Sequence, residues 1–350
     1  MIATILAPLM WLAAATRAWR WWWSRSWVLG STTVALAVVG LHLTLNIPAA
    51  EALTQAIEPI PNFSTALRMV LFNLMAASTG TLMLAITNEP ARVAKGARWL
   101  AGIAAAGSVA ALTIFVATPP VPRAAGGFEF DQAYSHLPGY AEAGIAGALF
   151  PALLCPALMV IASRAADVRT VTGWSLTLLS AGLAAATTWA WLRLTYFLHV
   201  RYGDAAPHPA LFEATRAIAA AGVLVIFVGM MLSPIVSWVR ARRVMHAIGP
   251  LRAELVTRRP EVLRPSRRGC SADEKASDRI TELLDALSLE TADFDTAESS
   301  PEVAAALADW LVHGERSNTV RRANIRTTDD HRWALSLAHA YRHSKRKALA

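Results

Sequence analysis

The stretch Leu211–Val239, LFEATRAIAAAGVLVIFVGMMLSPIVSWV, decides the fold, together with the Arg240-Ala241-Arg242-Arg243 that follows it. Its only charges are Glu213 and Arg216, both near its start. A helix of this length exceeds the roughly 30 Å hydrocarbon thickness of a bilayer. Without counter-groups, so long an apolar run suits lipid better than a soluble core. The arginines at its end are a stop and an orientation signal.

Working outward, further runs of this kind lie at about Trp27–Ile47, Phe63–Thr87, Trp99–Thr118, Tyr140–Ser163 and Val171–Leu194. A first, shorter segment covers Met1–Thr16 and reaches only about 24 Å as a helix. No basic residue precedes it, whereas Arg17, Arg20 and Arg25 follow it, the reverse of a cleavable signal peptide. It reads as an uncleaved anchor, extended by an interfacial belt of Trp19, Trp21, Trp22, Trp23 and Trp27. If it only lies on the surface, six spans remain. The fold class is all-α: a polytopic transmembrane bundle of about seven spans over residues 1–239, then a small helical domain over 240–350.

The loops fix the orientation. One set holds Arg17, Arg20 and Arg25, then Arg92, Lys95 and Arg98, then Arg164 and Arg169, then Arg240, Arg242 and Arg243. The alternate set carries Glu51, Glu58, Glu129 and Asp131, with Arg123 and Arg201 its only basic residues. Positive loops stay in the cytoplasm, so the N-terminus is expected outside and the tail inside. Only Lys95, Lys275, Lys345 and Lys347 among 33 basic residues are lysine, in an Ala-rich chain, which points to a GC-rich bacterial genome. The expected location is therefore a bacterial plasma membrane, and the first partner is the lipid bilayer.

Composition narrows function mainly by exclusion. The pI of about 10.1 comes from charge scattered over short loops, so no nucleic-acid partner is expected. Cys155 lies in an apolar span and Cys270 in the polar tail, which argues against a disulfide. There is no phosphate-binding G-x-x-x-x-G-K-[ST] loop, G-x-S-x-G or H-E-x-x-H. No enzyme, metal site or cofactor is expected.

Ionisable residues within spans are costly and are the natural site candidates. Arg68 sits six residues into its span, with Asn73 further along. It either binds an anionic group or snorkels to the outer interface. Asn73 is about 140° away on the helical wheel and does not share a narrow stripe with it. Arg193 lies near the outer end of its span; Glu213 and Arg216, three apart, either pair or contribute to a site. His42 is flanked by Leu41 and Leu43 and reads as a packing residue. Tyr196, His199 and His208 cluster at one end without metal spacing, and His339 and His343 in the tail read as a solvated face. Gly144 and Gly147, with Ala141 and Ala148, form a small-residue face for close packing; Pro151, Pro156 and Pro234 are expected to kink their helices.

Residues 240–350 contain 20 Lys/Arg and 16 Asp/Glu and read as four amphipathic helices. The first is His246–Thr257, its start delayed by Gly249-Pro250. The second follows a capping signature at Ser271-Ala-Asp-Glu274 and shows Ile280, Leu283, Leu284 and Leu287 on one face. The third opens at Ser300-Pro301-Glu302 with Val303, Leu307, Trp310 and Leu311, and the last spans about Asp329–Lys347 with Trp333, Leu337 and Tyr341. Arg279 and Glu282, three apart, form a candidate pair.

Three short motifs in this region, Pro250-Leu251-Arg252, Pro260-Glu261-Val262 and Arg279-Ile-Thr-Glu282-Leu-Leu-Asp285, carry a resemblance. With the topology, they resemble a family of actinobacterial seven-helix membrane proteins labelled transporters, whose cytosolic tail is helical. Arg252 stands where that family has Trp. The resemblance implies a transporter-like topology, with Pro250, Leu251, Pro260, Arg279, Glu282 and Asp285 as structural or partner-binding tail residues. Two functions follow as expectations. One is a secondary transporter, although no internal repeat is visible. The other is a membrane-anchored sensor or regulatory scaffold that binds a cytosolic protein through residues 240–350.

Overall fold

The computed structural model describes residues 2–124, 126–203, 209–265, 269–290, 301–314 and 330–349. Among these residues there are twelve α-helices, one 3-10 turn and no strand. The chain divides into two compact units, Met1–Ser233 and Pro234–Ala350.

Among the described residues, six helices are long and apolar enough to cross a membrane: α2 (Trp27–Thr44), α4 (Phe63–Thr87), α5 (Pro90–Ala117), α7 (Tyr140–Ala165), α8 (Val171–Tyr202) and the apolar part of α9 (Pro209–Arg258). The helix α1 (Ile2–Ser24) is longer than its apolar stretch alone predicts. It continues through Arg17, Arg20 and the Trp cluster, so its 23 residues reach about 34 Å. Met10 and Ala14 are buried, in one apolar cluster with Leu36 and Val39 of α2.

Two short helices occupy segments read as loops: α3 (Pro48–Ile57) and α6 (Gly127–Tyr134). Pro48 stands at the first turn of α3, where its missing N–H costs nothing. Contacts among residues near α3, α6, the starts of α4 and α7 and the end of α8 gather these elements at one end of the first unit, called below the acidic-loop end.

Small residues bring the helices close. On α7, Gly144 lies under the Phe197 ring and Gly147 against Met69, as the small-residue face predicts. A second such seam, between α8 and α9, is not apparent from sequence spacing. A Cβ on Gly182 would fall 2.5 Å from Ile226 Cγ1 and 2.9 Å from the Ile226 backbone N. The Ile226 backbone cannot yield locally, so Gly182→Ala should destabilise the bundle by about 1–3 kcal/mol. Thermal melting of the detergent-solubilised variant checks this, with Gly102→Ala, which meets nothing within 4 Å, as the neutral control.

In the second unit, the end of α9 packs with α10 (Ala272–Glu290), α11 (Pro301–His313) and α12 (Asp330–Leu349) around one core. Ile280, Leu283, Leu287, Val303, Leu307, Trp310, Leu311, Trp333, Leu337 and Tyr341 are all buried there, as their periodicity predicts. The capping box also forms, with Ser271 N donating to Glu274 Oε2 at 2.5 Å and Glu274 N donating to Ser271 Oγ at 3.1 Å. Ser300, the cap position of α11, lies outside the described residues.

Two expectations need correction. Gly249-Pro250 does not delay a separate helix, because α9 runs through it. An interior proline costs about 3 kcal/mol, but buried Ile248, Leu251 and Leu255 each return about 2 kcal/mol on the same turns. Pro151, Pro156 and Pro234 lie inside helices, at the positions where kinks are expected. Finally, Glu282 pairs with Arg252 at 2.6 Å rather than with Arg279, which is exposed. Its other oxygen accepts the Arg264 N–H, and Arg264 reaches Asp285, so the tail motif is tied together by structural contacts.

Candidate functional site

The site is assembled at the acidic-loop end, beginning with how the chain enters α4. Asn62 takes a left-handed conformation (φ 65°), and its amide donates to the Pro122 carbonyl while its oxygen accepts from Ala124 N. This ties the 119–124 segment to the start of α4. Glu58 accepts the Ser64 N–H at 2.9 Å, a carboxylate placed on the positive end of the helix.

Arg68, in the second turn of α4, is buried, with its side chain 8% exposed. Its Nη2 donates to the Leu45 carbonyl at 2.7 Å and to Glu51 Oε1 at 3.0 Å. The first contact satisfies a carbonyl at the C-terminus of α2, and the second neutralises the charge. Nε and Nη1 are buried without a hydrogen-bond partner. Arg68 thus ends on partners at the acidic-loop end, buried rather than in solvent, and its carboxylate is Glu51 of α3.

Arg193 of α8 forms the second pair, 2.5 Å from Asp131 of α6. Its guanidinium also lies over the rings of Trp189 and Phe197, at 5.5 and 5.2 Å. Asp131 is buried, and Tyr196 OH donates to its backbone carbonyl at 3.4 Å while bonded to Ser135 Oγ at 2.9 Å. Burial pushes the Asp131 carboxyl up to about 6, against the opposing pull of Arg193 and Arg68. A third pair, Arg201 and Glu142 at 2.9 Å, joins α8 to the start of α7.

The raised Asp131 value gives a pH prediction. The folded protein holds this proton until about pH 6, whereas the unfolded chain releases it near 3.8. Between these values the folded state binds more protons, so Asp131's contribution to stability falls as pH rises from about 4 to 6. Asp131→Asn should flatten the melting temperature over that range, which a pH series of thermal melts would show.

Arg68 and Arg193 both line a cavity of about 520 Å³ within the first unit, and Arg216 of α9 lines it too. That volume falls in the range of small-molecule sites. Glu51 and Glu129 also face it, so its charges are nearly balanced once Asp131 is counted against Arg193. One wall is aromatic: the rings of His42, Phe72 and Trp189 follow one another at 4.7 and 4.4 Å. His42 Nδ1 and Trp189 Nε1 are buried without hydrogen-bond partners. One to two turns along α4 and α9, Met75, Phe227 and Met230, with Met10 and Leu36, surround an apolar void of only about 30 Å³. Close apolar packing thus lies beyond the cavity.

Of the five residues singled out within the spans, the structure brings Arg68, Arg193 and Arg216 together. Asn73 is fully buried on another face, donating to Ser108 Oγ of α5 at 3.2 Å, and does not line the cavity. Glu213 is exposed and also stands apart. His199 bonds the Thr195 carbonyl within its own helix, His339 and His343 are exposed, and His208 lies outside the described residues. Sequence reasoning missed Glu51, Asp131, Phe72 and Trp189. Glu51 and Asp131 were visible only as loop charge, although Pro48 was a signal for the helix that positions Glu51.

Compared with known proteins, the chain matches no family model, no curated protein and no solved structure.

Proposed function

We propose that this chain is a secondary transporter of the bacterial plasma membrane, with its solute site in the cavity at the acidic-loop end. The carrying observation is the 520 Å³ cavity among helices of membrane-crossing length, lined by arginines from α4, α8 and α9. Arginines within membrane spans that face a cavity are functional-site candidates, since such residues mark substrate pathways as well as pairing with carboxylates. The tight Met and Leu packing beyond it supports a cavity that does not run through the bundle. The resemblance to transporter-labelled actinobacterial proteins points the same way. Counterflow uptake of a labelled organic-acid panel into proteoliposomes tests the proposal. Accumulation above empty vesicles, abolished by Arg193→Gln, is expected; no accumulation of any member by folded protein would contradict it.

A second reading is favoured by one observation, the separate core of the tail. On that reading the protein is a membrane-anchored sensor whose residues 240–350 bind a cytosolic protein.

Both readings place the acidic-loop end outside and the tail in the cytoplasm. A fluorescent reporter that folds only in the cytosol, fused after Ala350, should be active. An alkaline phosphatase fusion there should be silent, and phosphatase activity would reverse the assigned orientation.

A further inference from the structure

The unmatched polar atoms of the cavity narrow its ligand. Arg68 Nε and Nη1 and Trp189 Nε1 are donors, all buried and all without a partner. His42 Nδ1, also unpartnered, accepts or donates according to its tautomer. The two principal carboxylates are already engaged, Glu51 by Arg68 and Asp131 by Arg193. Leaving buried donors unmatched is costly, so the site calls for acceptor oxygens. Arg68 Nη1 also lies directly beneath Gly127 of α6, where a Cβ would fall 2.7 Å from it. A side chain at 127 would therefore collide with the guanidinium, and glycine leaves that space unfilled.

Two further features set the rest of the molecule. The charges around the cavity balance, so a ligand's negative charge is met by hydrogen-bond donors rather than by a net positive field, which suits a monoanion better than a phosphate dianion. The His42–Phe72–Trp189 wall supplies flat apolar surface next to these donors, with the Arg193 guanidinium 5.5 Å from the Trp189 ring centroid. Such a wall favours a planar ring, since aromatic pairs add attraction beyond area burial.

We infer that the cavity binds an amphipathic organic monoanion, a carboxylate carried on a planar aromatic body, with Arg68 and Trp189 meeting the carboxylate and Phe72 and His42 meeting the ring. This deepens the transport reading and rests on the same cavity, but binding is measurable without transport.

The test is isothermal titration of the full-length protein in detergent with four probes. These are 2-naphthoate, 2-naphthalenemethanol, 2-naphthylmethylamine and decanoate. They separate charge from ring, and a dissolved aromatic acid from a fatty-acid-like ligand of the bilayer. The expected order is naphthoate tightest, with the alcohol and the amine weaker by about tenfold or more and decanoate weaker than naphthoate. Trp189→Phe keeps an aromatic ring and removes one donor, and should weaken naphthoate roughly three- to tenfold, more than it weakens the alcohol. Arg68→Gln should abolish the preference for the acid. If that variant does not fold, Trp189→Phe decides alone. Equal affinity for acid and alcohol, tighter decanoate binding, or an unchanged naphthoate affinity in Trp189→Phe would each overturn the inference. Naphthoate binding without uptake into proteoliposomes would overturn transport and leave the inference standing.

Discussion

Arg68→Leu should lower both stability and function. The leucine suits lipid better, so a snorkelling arginine would be replaced at little cost. Here the change removes two hydrogen bonds at once and leaves Glu51, only 18% exposed, facing the cavity without its cation. Breaking a largely buried pair from one side costs about 3 kcal/mol, because the remaining charge stays desolvated. The Leu45 carbonyl adds a smaller penalty as an unmatched helix end. The double variant Arg68→Leu/Glu51→Leu should recover most of the lost melting temperature, since an ion pair replaced by apolar groups is often neutral. It should not recover uptake, because the donors facing the cavity are gone. An Arg68→Leu protein with unchanged melting and full uptake would remove this residue from the account.

The second large effect belongs to the tail. Leu283→Ala in an isolated fragment of residues 240–350 should cost about 3 kcal/mol, as Leu283 is fully buried in the four-helix core. A domain of this size has only about 5–15 kcal/mol in total, so the loss is a substantial fraction of its stability. The fragment itself should be soluble and helical by circular dichroism, with a cooperative urea transition shifted to lower midpoint by Leu283→Ala. A random-coil spectrum from the parent fragment would mean that the core seen here does not form alone.

How much was legible in the sequence divides along physical lines. Hydrophobic runs and caps act locally, so the span positions, the small-residue face of α7 and the Ser271 capping box could be read directly. The tail core followed from periodicity for the same reason. What escaped the reading depends on contacts between distant segments. Glu51 and Asp131 are separated from their arginines by 17 and 62 residues, and nothing in the local pattern marks their pairing. The wheel angle correctly separated Arg68 from Asn73, yet could not show that Arg68 turns into a cavity and Asn73 toward Ser108. The Gly249-Pro250 break failed because tertiary burial of Ile248, Leu251 and Leu255 outweighed a local preference.

The central claim is that a solute cavity at the acidic-loop end opens to the outside of the cell. Cysteine accessibility tests it most directly, in a background with Cys155→Ala and Cys270→Ala so that neither native thiol reacts. Ala219 lines the cavity on α9 within a helix of membrane-crossing length. In intact cells, Ala219→Cys should react with a membrane-impermeant, negatively charged thiosulfonate added outside, and naphthoate should slow that reaction. A thiol that stays unmodified in intact cells, yet reacts fully once the protein is denatured, would contradict the account.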